Sequence, residues 1–239
     1  MSNELLESLI QAITLIITLD AEVLYITILS LRVSLTAVIL AGIIGIPLGI
    51  IFGSRDLPGK RFILVTVNTG MSFPPVVMGL LIFVLFSSSG SLGLVHLLLT
   101  ETAMMIAQLI LALPIIIGLS ASAVSNIDPS VKEAAITLGA TPLQLIWLQI
   151  REVRTEIVAA FIAAFGAAIS EIGAIQIVGG NIRWRTRTLT TAIGKEIAAG
   201  RWGFALALGL ILLTTAFAMN ILFTYFQHTQ RIFIPRKAD

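Results

Sequence analysis

The sequence has no cysteine and only two histidines, His96 and His228. A disulfide framework is therefore excluded, and neither a Cys/His metal cluster nor thiol redox chemistry has the ligands it needs. Charge is scarce as well. Asp, Glu, Lys and Arg make up 12% of the 239 residues, whereas soluble domains carry about 25%. Hydrophobic residues reach 57%, with a mean hydropathy of +1.01, more apolar surface than one soluble core can bury, so lipid must cover the remainder. No Lys or Arg precedes Arg32, while Glu4 and Glu7 open the chain. That is the reverse of a signal peptide's basic start, and no cleaved leader is expected.

What remains is a set of long apolar runs. A hydrocarbon core about 30 Å thick needs about 20 residues of helix. Five segments qualify: 24–52, 62–86, 103–124, 157–178 and 203–226. The apolar stretch 5–17 is too short to span and reads as an interfacial helix. One membrane domain is expected over residues 1–239. The pI near 9.3 reflects basic residues in loops beside the apolar runs, which set topology rather than bind nucleic acid. Five crossings place Arg55, Lys60, Arg61, Lys132, Arg151, Arg154, Arg231, Arg236 and Lys237 on one side. The other side receives Arg183, Arg185, Arg187, Lys195 and Arg201. The excess makes the first side cytoplasmic, with the N-terminus outside. Gly45, Gly49 and Gly53, and likewise Ala160, Ala164 and Ala168, recur every fourth residue and predict smooth faces for close helix packing.

The segment from Asp128 to Gln144 encodes two short helices between the third and fourth spans. Asp128-Pro129 reads as an N-cap and its following proline, Ser130 and Glu133 have capping-box spacing, Gly139 suits a left-handed stop, and Thr141-Pro142 starts a second helix. The spacing alone fits either a well-capped loop or a protrusion for a partner. In the second span Pro74 and Pro75 lack amide donors and should break the helix, freeing the carbonyls of Gly70 and Met71. With Asn68, Thr69 and Ser72 beside the break, the residues suit either a pathway for an anion or a plain structural kink. Glu171 and Arg32 are the ionisable residues deepest in apolar sequence, and such groups are costly unless paired or facing a cavity. They are expected either to pair with each other or, for Arg32, to reach the outer surface. Arg183, Arg185 and Arg187 read as a solvated loop or as an attractor for an anionic partner.

Glu133-Ala134-Ala135 followed by Gly139 resembles the EAA loop of ABC importer permeases. Its continuation, Leu148-Gln149-Ile150-Arg151-Glu152, departs from the family's Ile-x-Leu-Pro. Further resemblance runs through Ser170-Glu171-Ile172-Gly173-Ala174, Val178-Gly179-Gly180-Asn181-Ile182 and 186–193, and through Asn68-Thr69 and Pro74-Pro75-Val76-Val77. These are similar to the tungstate branch of the molybdate, tungstate and sulfate importers. The resemblance implies an all-α type I importer permease fold with five transmembrane helices and a cytoplasmic coupling helix within 128–152. It implies Glu133, Ala134, Ala135 and Gly139 as the ATPase contact. Asn68, Thr69, Ser72, Pro74, Pro75, Ser170, Glu171 and Arg32 become pathway or gate, and Arg183, Arg185 and Arg187 become the contact for an external binding protein. Two copies of the chain would assemble with two subunits that bind ATP and Mg.

This chain itself has no Walker motif, since Gly59-Lys60 is followed by Arg61, and no Gly-x-Ser-x-Gly elbow surrounds Ser72 or Ser120. A membrane enzyme using Glu171 is the rival reading, and it lacks a nucleophile or metal partner; molybdate and sulfate are the rival cargoes. The absence of cysteine makes the topology directly testable. Single cysteines at Ser2 and Ala238 should react with an impermeant thiol reagent from opposite faces of the membrane, and labelling from the same face would overturn five crossings.

Overall fold

Inside lipid every backbone amide and carbonyl must be satisfied within the protein, which leaves helices as the economical solution for apolar runs of this length. The computed structural model describes residues 2–55 and 58–231. Among them the α-helices are α1 (Ser2–Ile17), α2 (Ala21–Ser54), α3 (Lys60–Met71), α4 (Pro75–Phe86), α5 (Glu101–Ser125), α6 (Pro129–Thr137), α7 (Pro142–Glu152), α8 (Arg154–Ser170), α9 (Gly173–Gly179), α10 (Leu189–Ala198) and α11 (Trp202–Arg231). Arg236 and Lys237 of the expected cytoplasmic tail lie outside the described residues.

Three helices, α2, α5 and α11, are long and apolar enough to cross a membrane unbroken. The second expected span is two helices, α3 and α4, bent by 98°. Ser72 N–H donates to Thr69 and Phe73 N–H to Gly70, closing α3 with tight turns before Pro74 and Pro75. The break falls where the prolines predict it, but the Gly70 carbonyl is bonded rather than free. The fourth expected span, 157–178, is also not continuous. Its helix α8 starts earlier, at Arg154, bent by 68° from α7, and stops at Ser170, with α9 resuming at Gly173. Glu171 therefore occupies a helix break, not the middle of a span. The helix α10 lies in what the sequence presents as an outer basic loop.

The centre of the bundle is the parallel pair α2 and α5. Along their contact a Cβ at Gly49 would lie 2.6 Å from the Ser120 Cβ and 2.9 Å from the Ile117 carbonyl oxygen, and one at Gly53 would lie 2.7 Å from the Ala121 carbonyl. The glycines let the two backbones approach this closely. α8 then runs antiparallel against α5, burying Ala160, Ala164, Ala168 and Phe165 beside Ala112 and Ile116. α4 lies on α9, where a Cβ at Gly79 would meet the Ala174 Cα at 2.6 Å. α1, at 16 residues only about 24 Å long, is too short to span. It packs on α11, its Gln11 filling the space above Gly203.

Gly49→Ala should force α2 and α5 apart or distort them, since two of the three nearest atoms are backbone. Overpacking of this kind costs about 1–3 kcal/mol. The expected result is a lower thermal midpoint in detergent, whereas Gly209→Ala, with open space around it, should leave the midpoint unchanged.

Candidate translocation and coupling site

The two helix breaks face one another. Gly70, Met71, Phe73 and Pro75 from the first, and Ala164, Ala167, Ala168 and Glu171 from the second, enclose a cavity of about 90 Å³ with Gln108, Leu111, Ala112 and Ile115 of α5. Glu171 Oε1 accepts from the Ala174 backbone N–H at 2.9 Å, so the carboxylate caps the start of α9. The Glu171 carbonyl accepts from Thr190 Oγ1 at 2.8 Å, tying the break to α10. Gln108, 1% exposed, donates its Nε2 to the Ala168 carbonyl at 2.7 Å. Its Oε1 is buried without a protein partner, a group that wants a donor. The cavity is thus apolar over most of its wall, with one carboxylate and one unsatisfied amide oxygen.

Arg32 does not join Glu171. It pairs with Glu101, because α2 and α5 run in parallel and Arg32 emerges opposite the start of α5. Asn68, Thr69, Ser72 and Pro74 are exposed beside the first break, and Ser170 beside the second. Thr69 and Ser170 return their hydroxyls to Val65 and Gly166. Ala163, Gly166, Ala167 and Ser170 form an exposed face of small residues on α8. Gln108 was not singled out in the sequence, although a single amide inside an apolar run is a legible signal.

At the opposite end α6 and α7 form a projecting hairpin. Asp128 caps α6 by accepting from the Ser130 N–H at 2.9 Å, which also holds its carboxyl below the usual aspartate range. The cap is therefore Asp128 itself rather than a Ser130–Glu133 box. The reciprocal box forms in α7, between Thr141 and Gln144. Gly139 has φ +80°, and the Gly139 and Ala140 N–H groups donate to Ile136 and Ala135, a left-handed stop as the sequence predicts. Glu133, Ala134 and Gly139 are exposed and Ala135 is half-buried. Leu138 and Trp147 stand 87% and 69% exposed on the same hairpin.

At the Glu22 end of α2 the basic loop is not simply solvated. Arg183 grips Glu22 through two hydrogen bonds of 2.9 and 2.6 Å. Arg187, only 4% exposed, reaches both Glu22 and Glu196, and Arg201 pairs with Glu196. Arg185 alone of the three loop arginines is exposed without such a pair. The carboxylates Glu22 and Glu196, which hold these arginines, were not singled out in the sequence, since each sits near a helix end where charge is ordinary.

The chain matches, over residues 45–232, the family described as the inner membrane component of binding-protein-dependent transport systems. It belongs to that family. The permease is 44% identical over 202 residues to a "Probable anion ABC transporter permease protein" of Haloferax volcanii, covering 82% of this chain and 87% of the relative. It is 41% identical over 209 residues to the "Tungstate uptake system permease protein TupB" of Peptoclostridium acidaminophilum, covering 87% and 92%. A solved structure of the MetNI methionine ABC transporter in inward-facing conformations matches with a TM-score of 0.67 over 85% of this chain and 95% of that one, at 16% identity. The fold is that of a type I ABC importer permease.

The ion cluster around Glu196 carries a pH dependence. Arg201, first by its hydrogen bond and then, against the cost of burial, by its charge together with those of Arg187 and Lys195, holds the Glu196 carboxyl below the usual 4.5. The stability so gained is complete above about pH 4.5 and is lost as pH falls through the lowered value, because the unfolded chain takes the proton first. The permease's thermal midpoint should fall on acidification below that point. Glu196→Gln should start lower at neutral pH, since Arg187 then keeps only Glu22 as its partner, and should lose part of the acid slope.

Proposed function

We propose that this permease carries a tetrahedral oxyanion, tungstate, into the cell as one of two copies in an importer driven by ATP hydrolysis on separate subunits. The cargo rests on the tungstate uptake relative at 41% identity and on the anion transporter relative at 44%. In this reading an external binding protein delivers the anion to the outer face, where the exposed Arg185 lies, and Mg and ATP are held by the partner subunits. The N-terminus is outside and the hairpin is cytoplasmic. The exposed small-residue face of α8 and the polar residues Asn68, Thr69 and Ser72 turn toward the second copy and line the route between them. A bare carboxylate beside that route would repel a dianion. Glu171 is instead spent on capping α9, so it holds the break in place as a gate element rather than touching cargo.

The observation that carries the coupling half of the reading is the hairpin. Apolar side chains such as Leu138 and Trp147 are exposed there, at a place where charged loops flank the spans, and removing them from water needs a partner. A helix ending in a left-handed glycine, with small residues at Ala134 and Ala135, permits a cleft-deep approach. ATP binding would close the ATPase pair, draw the two hairpins together and turn the pathway outward.

Gly139 gives a clean test because nothing lies within 4 Å of where its Cβ would stand. A Cβ there meets no atom of this chain, and the left-handed backbone costs about 1–2 kcal/mol. Gly139→Ala, which carries that backbone cost alone, should retain most coupled ATP hydrolysis. Gly139→Trp should lose both co-purification with the ATPase and transport-coupled hydrolysis. Equal, undiminished coupling in both variants would remove the hairpin from the ATPase contact.

A further inference from the structure

The outer ion cluster does not balance its charge. Glu22 from α2 and Glu196 from α10 face Arg183 and Arg187 from the loop, Lys195 from α10 and Arg201 from the start of α11, around a pocket of about 360 Å³ with Phe204 in its wall. That volume lies within the range of small-ligand pockets, about 300–1,000 Å³. The three arginines consume both carboxylates: Glu22 receives Arg183 and Arg187, and Glu196 receives Arg187 and Arg201. Lys195 pairs with neither. Arg187 keeps its Nε buried without a partner, while Arg201 is 61% exposed in its side chain and bonds Glu196 through Nε. Four cations against two carboxylates leave a concave site two positive charges in excess.

The loop that builds this site is held rigidly. The Arg185, Thr186 and Arg187 N–H groups all donate to the Ile182 carbonyl. Thr186 Oγ1 donates to the Gly179 carbonyl and accepts from the Ile182 N–H. Trp184, at φ 60°, is pinned by Tyr25, whose hydroxyl donates to its carbonyl at 2.7 Å and whose ring meets the indole edge-on. Non-glycine residues persist in such backbone only when their surroundings over-determine them. A basic cleft fixed in advance costs little to organise when an anion arrives.

We infer that this pocket, bounded by Arg187, Lys195, Arg201 and Phe204, binds a doubly charged tetrahedral oxyanion, at a site separate from the cavity between the helix breaks. The excess charge matches a dianion, and Lys195 and Arg201 at the rim supply the donors, with Arg187 behind them. Trp184 and Trp202, next in sequence to Arg183 and Arg201 and exposed at 49% and 56%, are residues that favour the level of lipid headgroups. The oxyanion can accordingly come from two sources, a free ion in solution or the phosphate of a phospholipid.

Both sources are tested on the full chain in detergent without any ATPase, so the result does not depend on the transport assignment. Equilibrium dialysis is run with inorganic phosphate and, separately, with tungstate, and native mass spectrometry follows retention of added phosphatidylglycerol. Lys195→Gln, which breaks no ion pair, should weaken binding of the free ion or retention of the lipid about tenfold, as expected for a lost charge-assisted contact. Arg201→Gln should weaken it further, and Arg61→Gln, the same charge lost on the other side, should leave it unchanged. Sensitive free-ion binding identifies a solute site, and sensitive lipid retention with no free-ion binding identifies a headgroup site; either supports the pocket. Binding absent for both probes, binding indifferent to Lys195→Gln in a protein of unchanged thermal midpoint, or variants that weaken only association with an external binding protein would overturn it.

Discussion

The contact between α2 and α5 sets the position of almost everything else. Because Gly49 and Gly53 present no side chain, the two backbones run close enough for Ser125 to donate from α5 to the Gly53 carbonyl of α2. In lipid, where hydrophobic attraction between helices is absent, such close van der Waals contact is what holds a bundle together. α2 is 34 residues long, about 50 Å, so it reaches from the Glu22 ion cluster to the base of the α6–α7 hairpin. Lys132 of α6 donates to the Ser54 carbonyl at its end. One close-packed pair thus ties together the ion cluster, the facing breaks and the hairpin.

Around that pair the helices that must do something are the ones that break. α3 ends before Pro74 because two successive residues without amide protons cannot continue the ladder, and α8 ends at Ser170 with a carboxylate capping the next helix. Non-helical backbone at membrane depth is tolerated where protein encloses it. Here each break is stitched by named bonds: Ser72 to Thr69, Phe73 to Gly70, Ala174 to Glu171 and Thr190 to the Glu171 carbonyl. Gln108 supplies another bond, to the Ala168 carbonyl, from the helix that both breaks lean on. The breaks are therefore fixed into the bundle by specific bonds rather than left loose.

The end away from the hairpin is organised by charge instead. Glu196 is buried and Glu22 half-buried, and each is answered by two arginines, so neither is left as an uncompensated ion. This cluster joins α2, the loop after α9, α10 and the start of α11. It holds in place basic residues that would otherwise repel one another.

Composition and periodicity by themselves determined the solvent, the helical class and the lengths of the apolar runs, because hydrocarbon admits few alternatives. Local chemistry determined the stop at Gly139, the cap at Asp128 and the break at Pro74 and Pro75, each set by one residue's own backbone. The glycine and alanine repeats foretold the packed faces of α2 and α8 for the same reason, since a smooth face is a property of spacing. Only the tertiary structure decided the long-range pairs. Arg32 meets Glu101 rather than Glu171, Arg183 and Arg187 close on Glu22 across about 160 positions of sequence, and Gln108 reaches Ala168. Ion pairs and buried amides depend on which helices lie side by side and in what register, and no local preference encodes that. The break at Glu171 was hidden likewise: no proline marks it within the largely apolar run 157–178, and there the Glu171 carboxylate caps the next helix while Thr190 of α10 bonds the Glu171 carbonyl.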